Sequence, residues 1–311
     1  MTRPVFPAQL RVFVRDWLSA NNVVLKSSDG NVIIDTGYVR HAPLTLALVA
    51  SRQGVDGGRL AKIVNTHCHS DHMGGNAALK RAYGCPIAIP EGEAPLIARW
   101  DTTALLLDYA DQSADRFDVD LTLHANSTHV WGDLEWHALA APGHDMRALV
   151  FYNTEHRILI SGDALWENGY GFVMPEEMDP AALPATRATL EMLAALDVGI
   201  VIPGHGEPFT EFAAAIDRAL KRTAAFEADP VRLARHALKV VLMFALLDRQ
   251  RLPLAELPAY VDRVEIYREF NAHFFRETPS ELASWLVNDL RKVGVVDVEG
   301  SDLVPRAVAL R

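Results

Sequence analysis

The chain is nearly free of cysteine. Cys68 and Cys85 are the only two in 311 residues, so a disulfide framework is excluded and the fold must rest on its core. A membrane-length apolar run is also missing. The most apolar stretch, Leu238 to Leu247, is too short to cross a bilayer and is interrupted by Lys239. Basic excess is missing too. The net charge of −10 disfavours a general nucleic-acid or anionic-membrane surface, because those partners reward positive patches. The first residues, Met1 to Pro7, lack the apolar stretch of a signal peptide. Few cysteines, no export signal and no span together lead us to expect reduced thiols and a cytoplasmic location, without membrane or nucleic-acid partners. Half the residues are hydrophobic, enough for one large or two smaller cores.

Histidine and aspartate, in contrast, are concentrated. The run His67-Cys68-His69-Ser70-Asp71-His72 holds three imidazoles and a carboxylate in six positions. Neutral imidazole and carboxylate are ordinary ligands for zinc and other first-row divalent cations, and holding them together without a cation is costly. An apolar strand-like stretch, Leu60 to Val64, precedes the run, and a helix-like stretch, Asn76 to Tyr83, follows it. The cluster therefore belongs on a strand-to-helix loop, where a rigid frame leaves it open to substrate. Three more candidates follow predicted strands beside glycine: His144 in Pro142-Gly143-His144, Asp163 in Gly162-Asp163 and His205 in Pro203-Gly204-His205-Gly206. Glycine there lets the backbone turn sharply.

Strand signals cover Gln9–Trp17, Asn22–Lys26 and Val32–Asp35, the last two joined through Ser28-Asp29-Gly30 as a hairpin. They recur at Pro86–Pro90, Leu134–Ala140, Ala148–Tyr152, Arg157–Ser161 and Val198–Ile202, with helical spacing at Pro43–Gln53 and Asp179–Leu196. The alternation of β-rich and α-rich segments fits two packed sheets with helices outside, an α/β chain. Residues 91 to 120 are irregular and acidic, and read as a surface helix in preference to a cover over a cleft. After Phe226, three helical segments are expected (231–247, 254–270 and 279–293), then a hairpin within 294–304. Thr278 with Glu281 forms a capping signal for the third helix. Three helices and a hairpin describe a small winged-helix-like module. Its twelve Lys and Arg against thirteen Asp and Glu, a net of −1, argue for a packing or oligomerisation role over DNA reading.

Thr66-His67-x-His69-x-Asp71-His72-x-Gly74-Gly75-Asn76, Pro142-Gly143-His144, Gly162-Asp163 and Pro203-Gly204-His205-Gly206, preceded by Asp35-Thr36-Gly37, resemble the motif set of the metallo-β-lactamase superfamily. The resemblance covers roughly residues 10 to 225. It implies an αββα sandwich over residues 1–225, with the winged-helix-like module at 226–311. It also implies two divalent metal ions at one edge, with zinc as the first expectation and iron or manganese as alternatives. His67, His69 and His144 would hold one ion. Asp71, His72 and His205 would hold the other, with Asp163 bridging. Asp71 is in addition the candidate catalytic group, orienting the attacking hydroxide or taking its proton, and Asp35 would orient a ligand through hydrogen bonds.

Such a centre ionises water near neutral pH and polarises a carbonyl or phosphoryl oxygen. The reading is a dinuclear metal-dependent hydrolase of a small-molecule ester, thioester or lactone, with motifs of the glyoxalase II-like branch. A nuclease or phosphodiesterase is the alternative, and an iron oxidoreductase on the same ligands a further one. Cys68 is expected to be buried and structural. Tyr170 is expected to pack, its other role being a hydrogen-bond donor to a substrate oxyanion. Trp166 and Phe172 belong either to a substrate wall or to the core. His236 or His273 is weighed as a group at the pocket mouth, with a surface or core role for each, as for His124, His129, His137 and His156, the first expectation.

Overall fold

The computed structural model describes residues 4–306. Residues 1–3 and 307–311, which the two expected domains include, lie outside them. The elements run β1 (Leu10–Phe13), β2 (Asn22–Leu25), β3 (Asn31–Ile34), α1 (Ala42–Ala50), β4 (Leu60–Val64), α2 (Ser70–Met73), α3 (Asn76–Tyr83), β5 (Ile87–Pro90), α4 (Ala94–Arg99) and β6 (Leu121–Leu123). There follow β7 (Thr128–Trp131), β8 (Leu134–Ala140), β9 (Leu149–Asn153), β10 (Ile158–Gly162), α5 (Ala182–Ala194), β11 (Ile200–Pro203) and α6 (Phe212–Ala228). The remainder holds α7 (Pro230–Arg249), β12 (Leu252–Pro253), α8 (Leu257–Arg263), α9 (Glu265–Phe270), α10 (Pro279–Lys292), β13 (Val296–Glu299) and β14 (Asp302–Pro305).

Six strands form one sheet in the order β1-β2-β3-β4-β5-β6, antiparallel up to β3 and parallel from there. Five form a second in the order β11-β10-β9-β8-β7, antiparallel except for the β10–β11 pair. The two-residue period of a strand explains the layering. Val23, Leu25, Val32, Ile34 and Val64 turn inward onto Trp136, Phe151, Ile160 and Ile202 of the second sheet. Their neighbours Val24, Ile33, Ile63 and Ile87 turn outward onto Val49, Ala77 and Leu79 of α1 and α3. On the far side, Val150, Leu159 and Val201 pack under Leu183, Leu190, Ala215 and Ile216 of α5 and α6. The result is the expected αββα sandwich. Each fully buried Val, Leu or Ile stabilises it by roughly 1.5–3 kcal/mol before entropy is counted.

Helices α7 to α10 and the three-stranded sheet β12-β14-β13 share a separate core built on Ala237, Leu238, Val241, Leu257, Tyr267 and Leu286. The capping box predicted at Thr278 is present, with Glu281 reaching back to the Thr278 amide at 2.9 Å. The expected helix 254–270 is two helices. Val264 adopts an extended conformation between α8 and α9, so among its described residues the region expected to hold three α-helices holds four. Helix α6 escaped the sequence reading because much of its inner face is small, Ala215 and Ala219 standing where larger residues mark other helices. Strands β6 and β7 escaped it because exposed residues interrupt their apolar pattern.

Residues 91–120 correct the surface-helix expectation. After α4 the chain makes successive turns through 101–111. Leu105 and Leu107 bury into the sandwich, whereas Tyr109 and Ala110 bury into the C-terminal core. The Tyr109 hydroxyl donates to Glu269 at 2.7 Å, the Ile266 amide to the Tyr109 carbonyl at 3.1 Å, and the Arg249 guanidinium to Asp111. This segment is a strap linking the two cores, and it crosses the cleft described next.

Candidate metal centre

All seven candidate ligands meet at one edge of the sandwich. The sheet topology explains why: β4, β8, β10 and β11 each end at this edge. His67 to His72 lie in the loop after β4 and in α2, His144 after β8, Asp163 directly after β10 and His205 two residues after β11. Irregular backbone just beyond strand ends places side chains where a frame fixes their positions. Close approach requires glycine at two places. A Cβ on Gly204 would collide with the Asp163 carboxylate, and one on Gly171 would lie 2.6 Å from the His144 ring.

Two groups of donors result. His67, His69 and His144 form one, and Asp71, His72, Asp163 and His205 the other; within each, the ligand atoms lie within 4.8 Å of one another. In the first group the three rings stand nearly perpendicular in pairs, at 84°, 88° and 86°. His144 Nδ1 faces the Phe172 carbonyl, which takes a hydrogen bond from it and leaves Nε2 with a lone pair. That Nε2 is 2.9 Å from His69 Nδ1. In the second group His205 Nε2 lies 2.9 Å from Asp71 Oδ2, and its ring stacks on Trp17 at 5.5 Å between centroids. Asp163 reaches both groups, with Oδ1 3.3 Å from His72 Nε2 and Oδ2 3.4 Å from His144 Nε2. Trp166 Nε1 donates to Asp163 Oδ1 at 3.1 Å.

Asp35 explains how His72 is aimed. Its carboxylate accepts from His72 Nδ1 at 2.8 Å, from Thr66 Oγ1 at 2.8 Å and from the Thr66 amide at 2.9 Å. Asp35 sits at φ +56°, a left-handed conformation that aspartate and asparagine tolerate best among residues with a side chain. With one proton fixed on Nδ1, Nε2 of His72 is the nitrogen presented to Asp163 and Asp71.

The donor set fits cations. His67 Nε2 and His72 Nε2 are buried and have no hydrogen-bond partner, a costly state for a polar atom that a positive ion relieves. Burial, reinforced by the neighbouring imidazoles His72 and His69, pushes the His67 imidazole well down. Burial and then His144 push His69 down to about 4. Both are neutral, as ligands must be. Burial also opposes charge on His72, but the carboxylates of Asp35, Asp163 and Asp71 outweigh it and raise that imidazole well above its ordinary value. Burial likewise disfavours the Asp163 and Asp71 carboxylates. His72 and His205 outweigh it and hold both below the usual range. A cation in place of the His72 proton satisfies the same carboxylates.

A cavity opens from His69, Asp71, His144 and Asp163. Trp166 and Phe172 line it, and Phe172 also packs against the C-terminal core. Leu105, Leu106 and Ala110 of the strap and Val240, Val241 and Phe244 of α7 close its other walls. These six were not foreseen, because nothing local marks a Leu or Val as facing a cleft. The residues weighed for the mouth lie elsewhere. His236 is half-buried against Phe226 and bonded by Arg222 at 2.5 Å, and desolvation followed by that guanidinium pushes it down to about 3. His273 is exposed. Tyr170 packs as expected, its hydroxyl bonded to Thr223 Oγ1 at 2.9 Å. Cys68 is buried in the core, and burial pushes its thiol up.

A strand-end cluster of imidazoles and carboxylates beside a cleft, on an αββα frame, defines a metal-dependent hydrolase. The family model of the metallo-beta-lactamase superfamily matches residues 15–205, and the chain belongs to that superfamily. Among curated relatives, the probable metallo-hydrolase YflN of Bacillus subtilis is 26% identical over 202 residues, 58% of this chain and 76% of YflN. A hydroxyacylglutathione hydrolase of Rhodopseudomonas palustris is 30% identical over 148 residues, 44% of this chain, and the match spans about half (50%) of that enzyme. The metallo-beta-lactamase family protein TTHA1429 of Thermus thermophilus superposes with a TM-score of 0.57 at 19% identity over 96% of this chain and 99% of its own. The last likeness extends the shared fold through the C-terminal helices. Among the described residues no helix is long and apolar enough to cross a membrane.

Proposed function

We propose that the chain is a dinuclear acyl hydrolase, cleaving an ester, thioester or lactone of a small molecule. His67, His69 and His144 would hold one divalent cation, and Asp71, His72 and His205 the other, with Asp163 shared between them. The observation that carries this reading is the reach of Asp163 toward His72 with one oxygen and toward His144 with the other. Zinc suits the nitrogen-rich donors best, and iron and manganese suit them also. A pair of such cations supplies, when bound, Lewis acidity and ionised water near neutral pH.

The chain's own residues do the rest. Asp71 remains ionised and is an acceptor for a proton of the attacking water, so it orients that water toward the carbonyl carbon. Asp35 fixes the His72 tautomer, and Phe172 fixes that of His144 through its carbonyl. Trp166 holds Asp163 by its indole N–H. The apolar walls exclude bulk water and so strengthen every charge interaction inside. The name of the Rhodopseudomonas relative points to thioester chemistry of this kind. Among the described residues no Lys or Arg lines the cavity, which favours carbonyl over phosphodiester substrates. Helix α7 supplies a wall of the cavity, and the region 226–311 is read as a winged-helix-like packing module.

Metal-loaded protein assayed on a thioester, an aryl ester, a lactone and bis(p-nitrophenyl) phosphate tests this. Turnover of an acyl substrate, lost on chelation and restored by zinc, is the expected result. Turnover of the phosphodiester alone would overturn it.

A further inference from the structure

We propose that the cavity selects an uncharged, apolar acyl arm, and that helix α7 of the C-terminal region is the wall that makes the selection. The proposal rests on the acyl-hydrolase reading and narrows its substrate class. Beyond the metal centre the cavity is walled by Leu105, Leu106 and Ala110 on one side and Val240, Val241 and Phe244 on the other. Its polar groups away from the centre satisfy each other or the backbone. Ser70 Oγ donates to Gln112 Oε1 at 3.2 Å, and Gln112 Nε2 donates to the Ala110 carbonyl at 3.3 Å.

Among the described residues no Lys or Arg lines the cavity, and Arg249, at the end of α7, is engaged by Asp111. An anionic arm would therefore lose its hydration without gaining a partner. The walls are also held in place. The strap is tied to the C-terminal core by Tyr109–Glu269 and by the Ile266 amide on the Tyr109 carbonyl. α7 buries Leu238, Val241 and Leu242 in that same core, so the α7 half of the apolar surface belongs to the module outside the sandwich.

The test uses the full metal-loaded chain and S-acyl-N-acetylcysteamine thioesters from acetyl to octanoyl, with adipoyl as the ω-carboxylated partner of hexanoyl. We expect kcat/KM to rise about fourfold per methylene up to hexanoyl. Hexanoyl should exceed adipoyl by about a hundredfold. Val240→Lys places a cation on the half-buried wall and should raise the adipoyl-to-hexanoyl ratio by about tenfold or more. Phe244→Ala should lower the hexanoyl-to-acetyl ratio. Calorimetric titration with octanamide and with its ω-carboxylated analogue reads the same preference without turnover. A flat chain-length series together with good acetyl turnover would sink this proposal and leave the hydrolase reading standing. Absence of all acyl turnover would sink the hydrolase reading, and tighter binding of octanamide than of its anionic analogue would still support the apolar cavity. Equal or tighter binding of the anion would overturn it.

Discussion

Asp35→Asn changes one oxygen into an NH2 group and leaves the side chain's shape intact. Asparagine tolerates the φ of +56° at this position, so the backbone has no reason to move. In the native protein the carboxylate accepts from His72 Nδ1, Thr66 Oγ1 and the Thr66 amide, at 2.8, 2.8 and 2.9 Å. The amide oxygen can still serve the Thr66 N–H. Its NH2 then faces His72 Nδ1, and two donors cannot pair. The imidazole resolves the conflict by moving its proton from Nδ1 to Nε2, the atom that faces Asp163 at 3.3 Å. A protonated Nε2 cannot bind a cation, which is the wrong-tautomer effect known from catalytic triads. Losing an orienting hydrogen bond of this kind costs about 10–100-fold in metal affinity, or roughly 1.4–2.7 kcal/mol. Chelator competition followed by elemental analysis should show weaker retention of one metal equivalent, the other being held as before. Activity should fall with that equivalent, and Asp35→Glu, too long for the space, should not restore it. Unchanged affinity for both equivalents in a folded Asp35→Asn protein would refute the assignment of Asp35 as the group that aims His72.

Asp163→Ala or His69→Ala should remove metal and activity yet leave a folded sandwich by circular dichroism, because the cores lie away from the edge; full turnover by metal-depleted protein would contradict this. Chelation of the native protein should lower Tm by several degrees, since a cation at a hundredfold excess over its Kd stabilises by about 2.7 kcal/mol. An identical Tm with and without metal would count against a preformed centre. His236, held down to about 3, is neutral in the folded state and charges at its ordinary value of 6.5 when unfolded. The unfolded chain therefore binds more protons between these values, and the stability His236 supports is complete above pH 6.5 and declines as pH falls toward 3. Between pH 6.5 and 5 that loss is about 1.6 kcal/mol, and urea melts of His236→Gln should show a pH dependence shallower by that amount. Tyr109→Phe removes the hydrogen bond to Glu269 and should cost about 1.5–3 kcal/mol, since the acceptor is charged. Its sharper readout is faster proteolysis within 101–112, and equal cleavage rates would show that the strap is held by other contacts.

Much of this protein was legible in order along the chain. Strands show as Val and Ile runs, because a two-faced core demands apolar residues in succession. The helix start at Thr278 shows as a cap and its partner three residues on. The candidate ligands show because a metal site needs unusual residue types, and glycine beside them marks the turns that aim them. Those signals are local chemistry, readable at each position. Helix α6 lay at the edge of that legibility, since alanine forms and packs a helix without marking one face as apolar.

What the sequence could not state is which ordinary side chains face each other across a cleft. Leu105 and Val241 are 136 positions apart and carry no mark that distinguishes a cavity wall from a core. His236 and His273, chemically the more eloquent, stand away from the opening. The segment 91–120 looked like a surface helix because its acidic residues outnumber its leucines, and only the two cores on either side of the strap give Leu105 and Leu107 somewhere to go. The ligand types were set by the chain's own chemistry. The shape and polarity of the space in front of them were set by the docking of α7 and the strap, because a cavity is made by surfaces distant in sequence and has no local code.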